Sequence, residues 1–340
     1  MADFWHTVGD RVQCDLCPRE CRMREGQHGF CFIRQNVGGQ LVQLAYGKLS
    51  GLSADPIEKK PLYHFYPGSL ALSFGTAGCN LACKFCQNWG ISKAKRMQIL
   101  SQDAPPDDIA RLAKHFGCRS VAYTYNDPIV FAEYAIDTAQ ACRDAGIANV
   151  AVSAGYISKQ ARGPFFSPMD AANIDLKSFN PDFYRKVTGA ELSVVLDNLA
   201  WLRSTPVRLE ITTLLIPGMN DSDSEILALT KWVRDNLSAD VPLHFSAFHP
   251  AYRMQDVGRT PPSTVRRARE LALDVGLEYV YTGNIADTEG STTYCPACGA
   301  TVIARDGYRV TVNNLVDNCC PACGKRIPGR FSQADAALGT

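Results

Sequence analysis

The stretch Gly78-Cys79-Asn80-Leu81-Ala82-Cys83-Lys84-Phe85-Cys86 sets three cysteines in a Cys-x3-Cys-x2-Cys pattern. It comes after an apolar run, Leu70–Phe74, which we expect to form a buried strand, and after a glycine-containing turn. A [4Fe–4S] cube is normally held by four cysteines, one for each iron, so three cysteines leave one iron open. An open coordination position is typical of catalytic rather than structural metal sites. A zinc site completed by a distant histidine is the alternative that these residues allow.

Beyond this stretch, apolar segments of strand length alternate with amphipathic segments of helix length. Asp107, Ser222 and Ser263 are predicted to start helices, and Ser222 with Glu225 has the spacing of a capping box. The alternation implies parallel β/α units that close into a full or partial barrel, with an open doubly wound sheet as the alternative. The predicted strands lie near residues 70–74, 120–125, 148–153, 173–176, 207–216, 243–248 and 278–281.

Near the C-terminus, two matching knuckles follow each other: Cys295-Pro-Ala-Cys298 and Cys320-Pro-Ala-Cys323. Each knuckle directs two thiolates at one tetrahedral ion, so the pattern predicts a zinc ribbon with a structural role. Cys319 is an alternative to Cys320 as a ligand, because spacing does not separate adjacent cysteines. We therefore predict a ribbon-like module at 291–328 and a flexible tail at 329–340.

A third group of cysteines lies in the first 60 residues, which we predict to form a metal-binding segment: Cys14, Cys17, Cys21 and Cys31. Thiolates in this spacing suit either zinc or a second iron–sulfur cluster, and from the sequence we favour zinc. Cys118 and Cys142 stand alone among apolar residues, so we expect them to pack in the core.

Composition narrows the class of protein. The chain has 340 residues, is 46% hydrophobic and carries a formal net charge of +1, which predicts a large core and gives no electrostatic reason for a nucleic-acid or membrane partner. No apolar run approaches the roughly 18 residues of a membrane span, and the first residues do not resemble a secretory signal. We therefore expect a cytoplasmic protein whose 14 cysteines stay reduced and serve mainly as metal ligands or catalytic groups.

The string from Gly78 to Trp89 resembles the radical S-adenosylmethionine superfamily. More narrowly, it is similar to the radical enzymes of the AmmeMemoRadiSam system, which are relatives of the pyruvate formate-lyase activating enzymes. The N-terminal four-cysteine segment is similar to that group as well, and the resemblance covers most of residues 10–290. It implies that residues 61–290 form a partial (β/α)6 TIM-like barrel of the radical SAM type, set between the two small cysteine-rich segments.

The resemblance also implies cofactors and partners. The open iron of a [4Fe–4S] cluster would bind S-adenosylmethionine, and an electron from a flavodoxin- or ferredoxin-type donor would cleave it to methionine and a 5′-deoxyadenosyl radical. That radical would take a hydrogen atom from a small molecule or a partner protein, in oxidoreductase- or lyase-type chemistry. The family's partners are AMMECR-type and MEMO-type proteins, and a glycyl radical enzyme is an alternative partner. A zinc-rich binding module without activity is the alternative from another class, which the near-neutral charge disfavours.

The carboxyl ends of barrel strands are where chemistry is expected. By resemblance, Asn126 and Asp127 would meet the amino group of S-adenosylmethionine, although this chain lacks the Gly-Gly-Glu-Pro segment that many members have there. Ser153 would contact the ribose or carboxylate, and His249 the nucleoside. For His249, an ordinary hydrogen-bonding role at a strand end is the alternative.

Asp175 and Lys177 follow the fourth predicted strand of the barrel and alternate with apolar neighbours, so both side chains point to the same face. Ionised groups inside a barrel need partners, which indicates a role in cofactor binding. An ion pair between the two is the alternative. By resemblance, a monovalent cation near Asp175 is a further candidate cofactor.

Overall fold

A computed structural model of the chain describes residues 2–93 and 102–331. Its centre is one eight-stranded sheet, in which seven neighbouring strands are parallel and the strand at one edge, Leu52–Pro56, is antiparallel to Leu70–Phe74. The parallel strands follow the chain order across the sheet. They are Leu70–Phe74, Ser120–Tyr123, Ala148–Ser153, Ala171–Asp175, Arg208–Leu215, Leu243–Ala247 and Val280–Gly283.

Helices connect these strands and cover the sheet, which explains why strands such as Ser120–Tyr123 are buried along their whole length. Ser222 caps its helix through a hydrogen bond from the backbone N–H of Glu225, which confirms the predicted start. Two other predicted starts are wrong, because prolines occupy the first turn and the helices begin at Pro106 and Pro262. The main helices are Pro106–His115, Ala132–Asp144, Lys159–Phe166, Leu192–Arg203, Asp223–Asn236 and Pro262–Asp274.

The sheet is open. In the part of the chain that the structure describes, no ladder of hydrogen bonds joins the edge strands Leu52–Pro56 and Val280–Gly283. This arrangement confirms the α/β class and the partial barrel. Val280–Gly283, which was predicted near residues 278–281, is a seventh parallel strand beyond the six that the family resemblance implies. The carboxyl ends of all seven strands face the same side, so polar residues at these ends can share one site.

Small antiparallel sheets lie at both ends of the chain. The N-terminal ones contain the strands Trp5–Val8, Arg11–Cys14 and Arg22–Met23, then Arg34–Val37 and Gln40–Gln43, while Lys48–Leu49 pairs with Gln102–Asp103. The C-terminal sheet is formed by Thr293–Tyr294, Thr301–Asp306 and Arg309–Asn313. Short helical segments complete the described structure: Ile57–Lys59, Trp89–Ser92, Pro128–Phe131, Pro181–Phe183, Tyr184–Thr188 and Thr288–Ser291.

The C-terminal sheet is attached to the barrel through the buried guanidinium of Arg305. It donates hydrogen bonds to the carbonyl oxygens of Tyr63 (2.8 Å) and Ser291 (3.2 Å). It also forms an ion pair at 3.5 Å with Glu58, and both side chains are fully buried. Arg305 therefore joins the segment after one edge strand of the barrel to the segment after the other.

Residues 329–331, which were predicted to belong to a flexible tail, are held by the rest of the chain. The guanidinium of Arg330 contacts Asp170 at 2.8 Å, and its backbone N–H donates to the carbonyl oxygen of His64. These bonds fix the segment against the amino-terminal side of the barrel, and only residues 332–340 of the predicted tail lie outside the described residues. Among the described helices, none combines the length and apolarity needed to cross a bilayer.

Replacing Arg305 by Met should lower the free energy of unfolding by about 3–5 kcal/mol, because Glu58 would remain buried without its cationic partner. Arg309→Met is the matched control, since its side chain is 77% exposed, and it should change stability by less than about 0.5 kcal/mol. Denaturant unfolding of both variants measures the difference. Equal effects would contradict a structural role for the buried pair.

Candidate active site

The cysteine loop begins at the carboxyl end of the Leu70–Phe74 strand and turns sharply there. A Cβ atom on Gly75 would lie 2.3 Å from the carbonyl oxygen of Thr124. Gly78 has φ +84°, and a Cβ atom there would lie 2.1 Å from the carbonyl oxygen of Cys31. Neither position accepts a side chain, so the two glycines allow the loop to pack directly against its neighbours.

Asn126 holds this turn in place. Its Oδ1 accepts a hydrogen bond from the backbone N–H of Thr76 at 3.0 Å. Its Nδ2 donates to the Thr76 hydroxyl at 3.1 Å and to the Gly78 carbonyl at 2.7 Å. Asn126 also lines the cavity beside the loop, but both ends of its amide are engaged by the protein, and its contact to a cofactor stays a prediction. The structure makes it a positioning residue for the cysteines.

The thiols of Cys79, Cys83 and Cys86 line one cavity at the carboxyl ends of the strands. Burial raises the pKa of Cys83 to about 12, although the Lys177 ammonium lowers it and the other two thiols add to the rise. Burial also raises the pKa of Cys79. Thiolates at such positions need a strong positive charge nearby, which a bound metal centre supplies. This donor set fits an iron–sulfur cluster held by three cysteines.

Asp127 and Ser153 lie together on the wall of the same cavity. The hydroxyl of Ser153 donates to Asp127 at 2.9 Å, and the backbone N–H of Ala154 donates to the other carboxylate oxygen at 3.0 Å. Burial raises the pKa of Asp127, and these hydrogen bonds oppose the rise. The carboxylate is thus held rigidly while it keeps further acceptor capacity toward the cavity.

Asp175 and Lys177 line the cavity too, and they form an ion pair at 2.7 Å. Burial alone would lower the pKa of Lys177, but Asp175 outweighs it and raises the pKa. The Lys177 ammonium is therefore charged and occupies one side of Asp175. The alternative interpretation from the sequence, an ion pair, is what the structure shows. The Lys177 ammonium contacts one oxygen of this carboxylate, and the monovalent cation near Asp175 stays a prediction from the sequence.

The cavity continues from the strand ends into the barrel, and its volume is about 350 Å³. Two buried atoms on its wall have no hydrogen-bond partner: Oε2 of Glu58 and Oγ1 of Thr212. His244 lies on the same wall, where its Nε2 contacts Glu210 at 2.7 Å. Unpartnered buried oxygens are costly, so a ligand that donates hydrogen bonds would be favoured here.

Several lining residues were not found from the sequence. Glu58 and Tyr308 come from segments before and after the barrel, and His244 lies within a strand rather than at its end. Only His244 had a usable signal, a polar residue inside an apolar strand. His249 does not line this cavity among the described residues, and the Leu243–Ala247 strand contributes His244 and Ser246 instead.

Two cavity residues other than glycine have left-handed backbones, Tyr125 with φ +71° and Asn284 with φ +59°. This region is unfavourable for a tyrosine and persists only where its surroundings enforce it. Tyr125 is the second residue after the strand Ser120–Tyr123, and its carbonyl oxygen accepts a hydrogen bond from Asn88 at 2.9 Å. Strain of this kind is typical of functional sites.

The four thiols of the C-terminal knuckles converge on one point. Their sulfur atoms all lie within 4.8 Å of one another, with Cys295 at 3.5 Å from Cys323 and Cys298 at 3.7 Å from Cys320. Zn–S bonds of about 2.3 Å place sulfurs about 3.8 Å apart around a tetrahedral ion. Cys320 rather than Cys319 belongs to this group, which fits a single metal ion.

Comparisons with known proteins identify the family to which the chain belongs. The profile of the Radical SAM superfamily matches residues 74–230. The uncharacterized protein MJ0808 of Methanocaldococcus jannaschii is 41% identical over 96% of this chain and 98% of its own length. The chain belongs to the radical SAM superfamily.

More distant relatives have named activities. GTP 3′,8-cyclase of Limosilactobacillus fermentum is 25% identical over 68% of this chain and 75% of its own length. The 4-hydroxyphenylacetate decarboxylase activating enzyme of Clostridioides difficile is 20% identical over 48% of this chain and 55% of its own length. Membership of the superfamily implies a [4Fe–4S] cluster and S-adenosylmethionine as cofactors, and the three-thiol cavity fits both.

Asn126→Ala should weaken metal binding at the three-cysteine site by about 10- to 100-fold, because the turn before Cys79 loses its anchor. Asn180→Ala is the control. It removes the hydrogen bond that Oδ1 of Asn180 accepts from the backbone N–H of Asp182 at an exposed helix start. This loss should cost about 1 kcal/mol of stability and leave the iron affinity unchanged. Anaerobic competition with an iron chelator measures both. Unchanged iron affinity in Asn126→Ala would show that the turn does not depend on the hydrogen bonds of Asn126.

Proposed function

We propose that this chain cleaves S-adenosylmethionine reductively and uses the product to take a hydrogen atom from a polar small molecule or a partner protein. The observation that carries the proposal is the placement of Cys79, Cys83 and Cys86 on the wall of a cavity that also contains Asp127 and Lys177. When bound, the cluster supplies the electron and S-adenosylmethionine supplies a 5′-deoxyadenosyl radical. The protein has to orient both and exclude competing reactions.

Separate groups on the cavity wall suit the two charged ends of the amino acid part of S-adenosylmethionine. Asp127 has acceptor capacity left for the amino group. Lys177 offers donors for the carboxylate, because Asp175 takes only one of the three donors of its ammonium. Ser153 donates its hydroxyl proton to Asp127, so its oxygen is left as an acceptor for a ribose hydroxyl. In this proposal Asn126 acts through the cysteine loop, and His249 remains a prediction from the sequence.

The deeper part of the cavity would bind the substrate. The volume of the whole cavity, about 350 Å³, lies within the roughly 300–1000 Å³ of a typical ligand site. The unpartnered oxygens of Glu58 and Thr212 require a substrate with hydrogen-bond donors. Burial raises the pKa of Glu58, and Arg305 partly offsets that rise.

The remaining components follow from the resemblance and from the donor sets. A flavodoxin- or ferredoxin-type protein would supply electrons, and AMMECR-type or MEMO-type proteins would be the protein partners. Zinc is the ion we propose for the C-terminal knuckles, since their sulfur spacing suits one tetrahedral ion. Tyr308 projects from this module into the cavity wall, so the module would also shape the substrate site.

A second candidate is an activase that installs a glycyl radical on a partner enzyme. The similarity to the 4-hydroxyphenylacetate decarboxylase activating enzyme favours it. The unpartnered oxygens on the cavity wall and the absence of extra cysteines between Cys86 and Cys118 in the sequence favour a small polar substrate instead. Accumulation of a glycyl radical signal on a partner enzyme would distinguish the activase.

The direct test is anaerobic. The protein is reconstituted with iron and sulfide and mixed with dithionite and S-adenosylmethionine, and 5′-deoxyadenosine is quantified beside a Cys79→Ala/Cys83→Ala/Cys86→Ala variant. We expect product with the wild type only, because the variant lacks all three ligands. No product from a filled and reducible cluster would contradict the proposal.

Metal analysis of Cys83→Ala separates the enzyme from a zinc-binding module. The variant should lose about four irons per chain relative to the wild type and keep the metal of the C-terminal knuckles. Cys118→Ala, which replaces a buried cysteine outside the three groups, should leave all metals in place. Equal iron in Cys83→Ala and wild type would remove the cluster assignment, and zinc without any iron would favour the module.

A further inference from the structure

We propose that the four N-terminal cysteines bind a second [4Fe–4S] cluster, which delivers electrons to the cluster of the active site. Cys14, Cys17, Cys21 and Cys31 all line one small cavity, separate from the active-site cavity. The spacing of these cysteines in the sequence is compatible with zinc and with a cluster. The arrangement of the sulfurs and of the groups around them favours the cluster.

The first argument is the distance between the thiols. Within residues 2–93 and 102–331, the C-terminal knuckles are the one group of potential metal ligands whose ligand atoms all lie within 4.8 Å of one another. The N-terminal thiols surround a cavity rather than a point, as the three active-site thiols do. A single zinc ion needs sulfurs about 3.8 Å apart, whereas a cube binds each cysteine to a different iron.

The second argument concerns a donor to one of the sulfurs. The sulfur of Cys21 accepts a hydrogen bond from the backbone N–H of Phe30 at 3.4 Å. Backbone N–H groups aimed at sulfur stabilise thiolates and tune the potential of iron–sulfur sites.

The third argument is a buried cation on the cavity wall. Arg34 is 1% exposed, donates to the Val130 carbonyl at 3.2 Å and pairs with Glu133. Its Nη1 is buried without a hydrogen-bond partner. A guanidinium N–H beside a cavity lined by thiols would find its acceptor in a ligand that carries negative charge, and the sulfides of a cube provide acceptors that a zinc ion does not.

The fourth argument concerns the path between the two sites. The carbonyl oxygen of Cys31 packs against Gly78, which directly precedes Cys79. On the other side, Arg19 donates through Nε to the carbonyl oxygen of Asn80 at 2.6 Å, and Asn80 itself lines the N-terminal cavity. One electron would enter from an external flavodoxin- or ferredoxin-class donor, which is oxidised, and cross this contact to the active-site cluster, which is reduced by one electron.

The cluster assignment is independent of the proposed reaction, whereas the relay rests on it. The test starts from Cys79→Ala/Cys83→Ala/Cys86→Ala, which leaves the N-terminal segment intact. After anaerobic reconstitution with iron, sulfide and zinc, this variant should retain about four irons and four sulfides per chain and show the electron paramagnetic resonance signal of a reduced [4Fe–4S] cluster. A variant that holds no iron and about two zinc ions, or only a two-iron cluster, would overturn the assignment.

The relay is tested by spectroscopy rather than by turnover. Cys17→Ala/Cys21→Ala removes the two half-buried ligands and spares the buried Cys14 and Cys31, and circular dichroism verifies that it folds. If the clusters are neighbours, the fully reduced wild type should show a broadened signal from interacting spins. A wild-type spectrum equal to the sum of the spectra of the two variants would overturn the relay.

Discussion

The contact between Gly78 and the Cys31 carbonyl oxygen is the constraint on which both cysteine sites depend. It needs a residue without a side chain at a left-handed position, directly before the first cysteine of the active-site loop. Asn126 then fixes the same turn from the barrel side through bonds to Thr76 and Gly78. The loop is thus held between the N-terminal segment and a strand end, and these contacts position its thiols.

This arrangement of the loop explains how buried thiols and carboxylates can coexist at one site. Cys83, Asp127 and Lys177 are all buried, and each would be costly alone. The structure offsets the cost by pairing Lys177 with Asp175 and by giving Asp127 two strong donors. The cost that remains is that of burying the thiolates, and a cationic metal centre would offset it. Folding therefore prepares a site that gains stability when its cofactors bind.

The sequence predicted the features that depend on local spacing. Metal ligands and alternating apolar segments follow short-range rules, so the three cysteine groups and the parallel strands were recognisable. Contacts between distant segments were not. The amide of Asn126 binds a loop about 50 residues earlier, and Arg305 reaches Glu58 across 247 residues. For the same reason, no pattern in the sequence indicated that Glu58 and Tyr308 line the cavity.

The C-terminal module lies where the two edge strands of the open sheet are not joined. Arg305 ties the segments beyond both edge strands together, while Tyr308 from the same module forms part of the cavity wall. If the four thiols of this module bind a metal ion, as proposed, a reagent that strips the ion would loosen this attachment from outside. A chelator would then alter the cavity inside the barrel although it acts outside the barrel.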